Sequence, residues 1–236
     1  MLQNKRLLTT GLMLAAALLS AGCARLIPPS ATPIPPAAAE QSAVATPTNL
    51  GTVEVGSYKG KPLDAVASEP ENSIKGPQSI DRSTYRLSVT GMVKKPLKLT
   101  YAQVRAMPAF QKVTTLNCVE GWSKTYLWQG VRIRDLLAEA DYDPTARTVI
   151  FTSYDGYSTS LPLDYVVSHN LLLAYAMNGK EMPPERGFPF QVVAEDRLGY
   201  KWAKWVTGIE LSANANYRGY WETRGYDNGA LLPGAQ

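Results

Sequence analysis

An α+β fold is expected from this sequence, on three observations. Segments that alternate apolar and polar residues, such as "TYRLSVTG" and "TVIFTSYDGYSTSLP", read as strands. Short stretches with apolar residues three and four apart, as in "GVRIRDLLAEAD", read as amphipathic helices. The two kinds of segment are interspersed over residues 77–225, with no internal repeat and no long uninterrupted helix pattern. The chain has 236 residues, of which 45% are hydrophobic and 19% charged, which suits one domain with extensions.

Four segments follow in order: 1–23, 24–76, 77–225 and 226–236. The first joins a basic "NKR" to the apolar "LLTTGLMLAAALLS" and a small-residue exit, "AGC". That is the layout of an export signal, too short for an ordinary membrane span. Cys23 directly after Ala21-Gly22 resembles a bacterial lipobox, with Ser20 where leucine is more usual. Lipid attached there would hold the protein at a membrane surface as an extracytoplasmic lipoprotein. The alternatives are ordinary cleavage, giving a secreted or periplasmic protein, and an uncleaved anchor. Residues 24–76 begin Pro- and Ala-rich and read as a semi-rigid tether and polar lead-in.

Within 77–225 each element has a local cause. "TYRLSVTG" ends at a glycine turn, and "KPLKLTYAQVRAMP" is a short strand, a Thr100 N-cap and a helix stopped by Pro108. "QKVTTLNC" is a strand that delivers Cys118 at its end. "GVRIRDLLAEAD" places Val131, Ile133, Leu136 and Leu137 on one helix face. Asp155-Gly156 turns one strand into the next, and "LPLDYVVSHN" opens a helix capped at Asp164 or Leu163. "FPFQVVAE" and "WVTGIELS" are strands around the loop "DRLGYKWAK", and the tail "NYRGYWETRGYDNGALLPGAQ" is aromatic and Gly-rich, packed at first before it loses order.

Several function classes drop out. Without Lys5 and Arg6 the 24 basic residues fall to 22 against 20 acidic, so no basic face for nucleic acid is expected. One cysteine and one histidine, His169, cannot assemble a zinc site, and His169 suits a helix end. With Cys23 in the export signal, Cys118 is the lone thiol of the domain. It is either an inert buried residue or a chemical group. Its thiolate would be a soft metal ligand, and Lys201 and Lys204 in "GYKWAKW" could hold a phosphate or simply be solvated.

Over residues 80–225 the blocks "TTLNCVEGWSKTYLWQGVRIRDLL", "FTSYDGYSTSLPLDYV" and "LLLAYAMNGKEMPPERGFPFQVVAEDRLGYKWAKWVTGIEL" resemble the molybdopterin domain of the sulfite-oxidase superfamily. The Cys-x-Glu pattern is similar to that of its bacterial extracytoplasmic methionine-sulfoxide reductases. The resemblance implies a molybdenum–molybdopterin oxidoreductase performing oxygen-atom transfer. It implies Cys118 as the metal ligand, with Glu120 beside the metal as the catalytic group and Asp155 and Tyr157 on the cavity wall. Thr152 and Ser153 would line the pterin. Arg186 and Gln191 would face cofactor or substrate, and Lys201, Trp202 and Lys204 would hold the pterin phosphate. Gln191 stands where an arginine is common, so a neutral sulfoxide or N-oxide is expected over sulfite. Electrons would come from a membrane or soluble redox partner. A cofactor-free binding module and a thiol hydrolase are the rival readings, the latter with Cys118 open to alkylating reagents.

Overall fold

A computed structural model describes residues 42–44 and 50–233; Cys23 and the export signal lie outside them. Along the chain come β1 (Ser42–Val44), β2 (Ser57–Tyr58), β3 (Lys61–Pro62), β4 (Arg86–Gly91) and β5 (Leu97–Thr100). Helix α1 (Tyr101–Arg105), β6 (Ala109–Asn117), β7 (Ser123–Arg132) and α2 (Ile133–Glu139) follow. Then come β8 (Thr148–Ser153), β9 (Ser158–Pro162), α3 (Leu163–Ser168), β10 (Leu172–Met177), β11 (Lys180–Glu181), β12 (Gln191–Val193) and β13 (Val206–Ser212).

The strands form two main sheets. One runs β1-β6-β7-β10-β11 with β12 on β10, and the other runs β5-β4-β13-β8-β9. Every pair among these strands is antiparallel except β4 with β13, so the architecture is the expected mixed α+β, with sheet predominating. Inward residues of the second sheet (Leu87, Val89, Val149, Phe151, Ile209, Leu211) join Ile133, Leu136, Leu137 and Val166 of α2 and α3 in one hydrophobic cluster. Each such side chain is worth about 1.5–3 kcal/mol when buried.

Local signals were reliable at several points. Thr100 forms a full capping box with Gln103, Ser153–Tyr157 closes the turn at Asp155-Gly156, and His169 is the C-cap of α3. Two departures have clear causes. The helix expected from Gly130 starts at Ile133, because Gly130-Val131-Arg132 completes β7, a strand absent from the sequence reading. A Cβ on Gly130 would lie 2.2 Å from Leu173 O, so the glycine permits close strand approach rather than breaking a segment. Helix α3 has Pro162 as its N-cap, without a side-chain cap.

Residues beyond the expected 77–225 limits also pack on this unit. Glu69 is buried against Arg186 at 3.0 Å. The tail bonds through Leu198 N to Ala230 O at 2.8 Å and Leu232 N to Asp196 O at 3.1 Å.

Candidate active site

Cys118 is the first residue past β6, in the loop that joins β6 to β7. Its N–H donates to Trp122 O at 2.9 Å, and its carbonyl accepts from Gly121 N at 3.1 Å. Gly121 adopts φ +88°, a conformation that costs glycine little. This tight loop leaves Sγ facing an open cavity of about 160 Å³. Asn72 Nδ2 donates to Sγ at 3.5 Å, and Glu120 Oε2 lies 3.8 Å from it. Trp122 Nε1 holds the same carboxylate oxygen at 3.1 Å. Burial pushes the free thiol's pKa up, with the Glu120 carboxylate adding to the rise and the Glu120 backbone N–H opposing it. A cation at Sγ would supply the charge that the thiolate form requires.

Of the expected residues, Cys118, Glu120, Asp155, Tyr157, Trp202 and Lys204 line this cavity together. Asp155 is 3% exposed and accepts from Tyr157 N at 3.0 Å. The Tyr157 hydroxyl donates to Tyr200 O, and burial drives its pKa up. Trp202 donates from Nε1 to Arg197 O at 3.0 Å and packs on Trp128 at 5.5 Å. Lys204 makes no hydrogen bond, and burial lowers its pKa.

Thr152, Ser153, Arg186, Gln191 and Lys201 are not in the cavity wall. Strand alternation turns Thr152 outward, where its Oγ1 sits over Gly208, while Ser153 points inward. Gln191 is 1% exposed within β12, and Arg186 is tied to Glu69 Oε1 at 3.0 Å and Pro70 O at 3.2 Å. Lys201 departs furthest from expectation. Its ammonium is fully buried and donates to Glu222 Oε1 at 2.5 Å, Ser160 O at 3.0 Å and Asn228 Oδ1 at 3.2 Å. Those bonds use all three donors, so none remains for a phosphate.

Other wall residues come from places the sequence does not flag. Asn72, Ser73 and Ile74 belong to the polar lead-in, and Trp221 and Tyr226 to the tail. Only the tail's density of aromatic residues hints at a wall; nothing local singles out Asn72.

Residues 74–221 match the model of the family described as oxidoreductase molybdopterin binding domain. The chain is 38% identical over 147 residues to the uncharacterized oxidoreductase YuiH of Bacillus subtilis, covering 62% of this chain and 74% of that protein. It is 31% identical over 150 residues to the putative protein-methionine-sulfoxide reductase subunit YedZ1 of Azospira oryzae, covering 64% and 57% respectively. It thus spans less than two thirds of that second relative. The crystal structure of the sulfane dehydrogenase SoxCD from Paracoccus pantotrophus is similar in fold, with TM-score 0.57 and 24% identity over 60% of this chain and 41% of that one.

The donor set fits such a cofactor. Among the described residues no three His, Cys, Asp or Glu side chains gather as a metal site. A metal at Cys118 therefore needs most of its ligands from a non-protein group. In the cavity wall, Lys204 Nζ is a buried polar atom without a hydrogen-bond partner. Orphaned polar atoms of this kind are unusual in native proteins and call for an explanation such as a bound polar group.

Proposed function

Because this chain belongs to the oxidoreductase molybdopterin binding domain family, within the sulfite-oxidase superfamily, we propose that it reduces a small neutral sulfoxide or N-oxide outside the cytoplasm. It is a molybdenum-cofactor-dependent oxidoreductase. The observation that carries the substrate reading is the cavity's charge. Glu120 and Asp155 line it against a single cation, Lys204, among the described residues. A small oxyanion entering such a wall meets net repulsion, whereas the polar S–O or N–O bond of a neutral molecule does not.

When bound, the molybdenum–pterin group supplies the two-electron oxidation–reduction chemistry. The residues of this chain hold, orient and protonate. Cys118 would ligate the metal through Sγ, and Asn72 would fix that sulfur by its 3.5 Å hydrogen bond. Glu120, oriented by Trp122, would deliver protons to the departing oxygen. Reduction of a sulfoxide consumes two electrons and two protons and releases a sulfide and water. The electrons would come from a membrane or soluble redox partner. Lys204, whose unused ammonium lines the cavity, would hold the pterin. Trp202, Trp205 and Trp221 would keep the wall dry, which strengthens each polar contact inside it.

The test compares sulfoxide reduction with sulfite oxidation on protein matured in a cofactor-producing host, with molybdenum measured in parallel. Near-stoichiometric metal with sulfoxide turnover is expected; efficient sulfite oxidation refutes the reading. For the location, the export signal with a lipid-bearing Cys23 is the proposed anchor. No helix among the described residues is long and apolar enough to cross a membrane. Cys23→Ser is expected to release the protein from membranes; retention on them would identify an uncleaved anchor instead.

A further inference from the structure

The chain beyond β13 folds back on the cavity through a short 3-10 turn, Glu222–Arg224. Glu222 anchors this turn by its buried contact with Lys201. Gly225, at φ +100°, reverses the chain, and Tyr226 N donates to Trp221 O at 3.2 Å. The reversal packs the Trp221 and Tyr226 rings together, with centroids 5.1 Å apart. Tyr200 meets Tyr226 edge-on at 5.3 Å, and its own hydroxyl is fixed by donating to Asp227 O at 2.7 Å. Trp221 and Tyr226 both line the cavity.

Apolar surface is left uncovered at this wall. Val119 is 47% exposed and Tyr226 37%, and both line the cavity. Val119 stands between Cys118 and Glu120, so the uncovered surface adjoins the proposed reacting groups. Exposed apolar side chains gathered in a concave site mark a place for a ligand. The charges of the turn are used elsewhere: Glu222 is held by Lys201, and Arg224 donates to Tyr220 O at 2.6 Å while lying 3.6 Å over that ring. Tyr226 also lies past residue 221, where the family match ends. It therefore stands outside the part of the chain shared with other holders of the same cofactor.

We propose that Tyr226 is a specificity-determining residue: packed on Trp221, and with Val119 in the same wall, it forms an apolar shelf that selects uncharged sulfoxides bearing an aryl group over dimethyl sulfoxide. The shelf stands on the ring geometry and the uncovered apolar surface. Reduction of the molecule bound there rests on the neutral-substrate reading above.

A phenyl group in place of a methyl brings apolar surface that the shelf can cover. Covering on the order of 50 Å² of it corresponds to about a tenfold gain in affinity, to which an edge-on or offset ring contact adds. Without a reductant the molybdenum-loaded protein has no electrons to pass to a sulfoxide, so binding is read apart from turnover. Calorimetry compares methyl phenyl sulfoxide with dimethyl sulfoxide under that condition, with metal content and Tm checked for each variant. We expect wild type to bind the aryl sulfoxide about tenfold more tightly. Tyr226→Ala should lose most of that preference, and Tyr226→Phe, which keeps the ring, should retain it. With a reductant supplied, the ratio of kcat/KM for the two sulfoxides should fall in Tyr226→Ala by a similar factor. Equal affinities in wild type, a preference that survives Tyr226→Ala, or an equal loss in Tyr226→Phe overturns the proposal. Aryl preference in binding with neither sulfoxide reduced would support the shelf and refute the neutral-substrate reading. Reduction of dimethyl sulfoxide with no aryl preference would do the reverse.

Discussion

Glu222→Ala isolates a buried ion pair that ties the tail to the centre of the domain. Both side chains of the Lys201–Glu222 pair are 0% exposed, and the contact is 2.5 Å. Glu222 Oε1 also accepts from Thr159 Oγ1 at 2.6 Å. Truncation would leave an ammonium with only Ser160 O and Asn228 Oδ1, at 3.0 and 3.2 Å, as neutral acceptors. Breaking one side of a buried pair costs about 3–5 kcal/mol, because the remaining charge must stay desolvated or lose its proton. Burial already pushes the Lys201 pKa down, against the pull of Glu222. For a domain of this size that loss corresponds to a Tm about 10 °C lower. Thermal and urea unfolding of the full chain measure it. Replacing both partners, as Lys201→Met with Glu222→Leu, should recover most of the loss, since an apolar pair leaves no charge uncompensated. A loss below about 1 kcal/mol for Glu222→Ala, in the range of exposed pairs, would refute the reasoning. So would a double variant no better than the single one. If the double variant is stable but loses molybdenum, Lys201 acts on the cofactor after all.

Cys118→Ser is expected to remove oxidoreductase activity and molybdenum while shifting Tm little, because a hydroxyl is a poor ligand for a soft site; equal metal content in the variant would refute the ligand assignment. Gly219→Ala should destabilise by about 1–3 kcal/mol, since the added Cβ would stand 2.2 Å from Ser158 O; urea unfolding reads the effect. Acid should loosen the Glu69–Asn72 segment. Burial alone would raise the Glu71 pKa, but the Ser73 hydrogen bonds and the charges of Lys204 and Arg186 outweigh it and hold the carboxyl below its ordinary 4.5. A depressed carboxylate contributes fully above 4.5 and loses that contribution as pH falls through its lower folded value. The tryptophan fluorescence of the cavity should therefore stay flat from neutral pH to 4.5 and change below it in wild type. The same profile in Glu71→Gln would show that another group titrates.

Elements with a local cause were legible in the chain. Alternation over Tyr85–Val89 made a strand, Thr100 and Gln103 made a cap, Asp155-Gly156 made a turn, and the i, i+3, i+4 spacing of Ile133, Leu136 and Leu137 made a buried helix face. The order of the motif blocks around Cys118 was enough to read the family. What depends on distant partners was not legible. Gly130 reads as a breaker until the backbone of Leu173 is seen 2.2 Å from where its Cβ would be. Lys201 and Lys204 are three residues apart and look alike in "GYKWAKW". Tertiary structure alone sends one ammonium inward to Glu222, contributed by the tail, and the other to the cavity wall, within 3.6 Å of Glu71 from the lead-in. The physical reason is range. Hydrophobic period and capping act over a few residues and are written into neighbouring positions. The charge state and availability of a side chain depend on partners brought close by the fold, as with Glu69 and Arg186 or Asn72 and Cys118, and no local pattern in the sequence encodes those meetings.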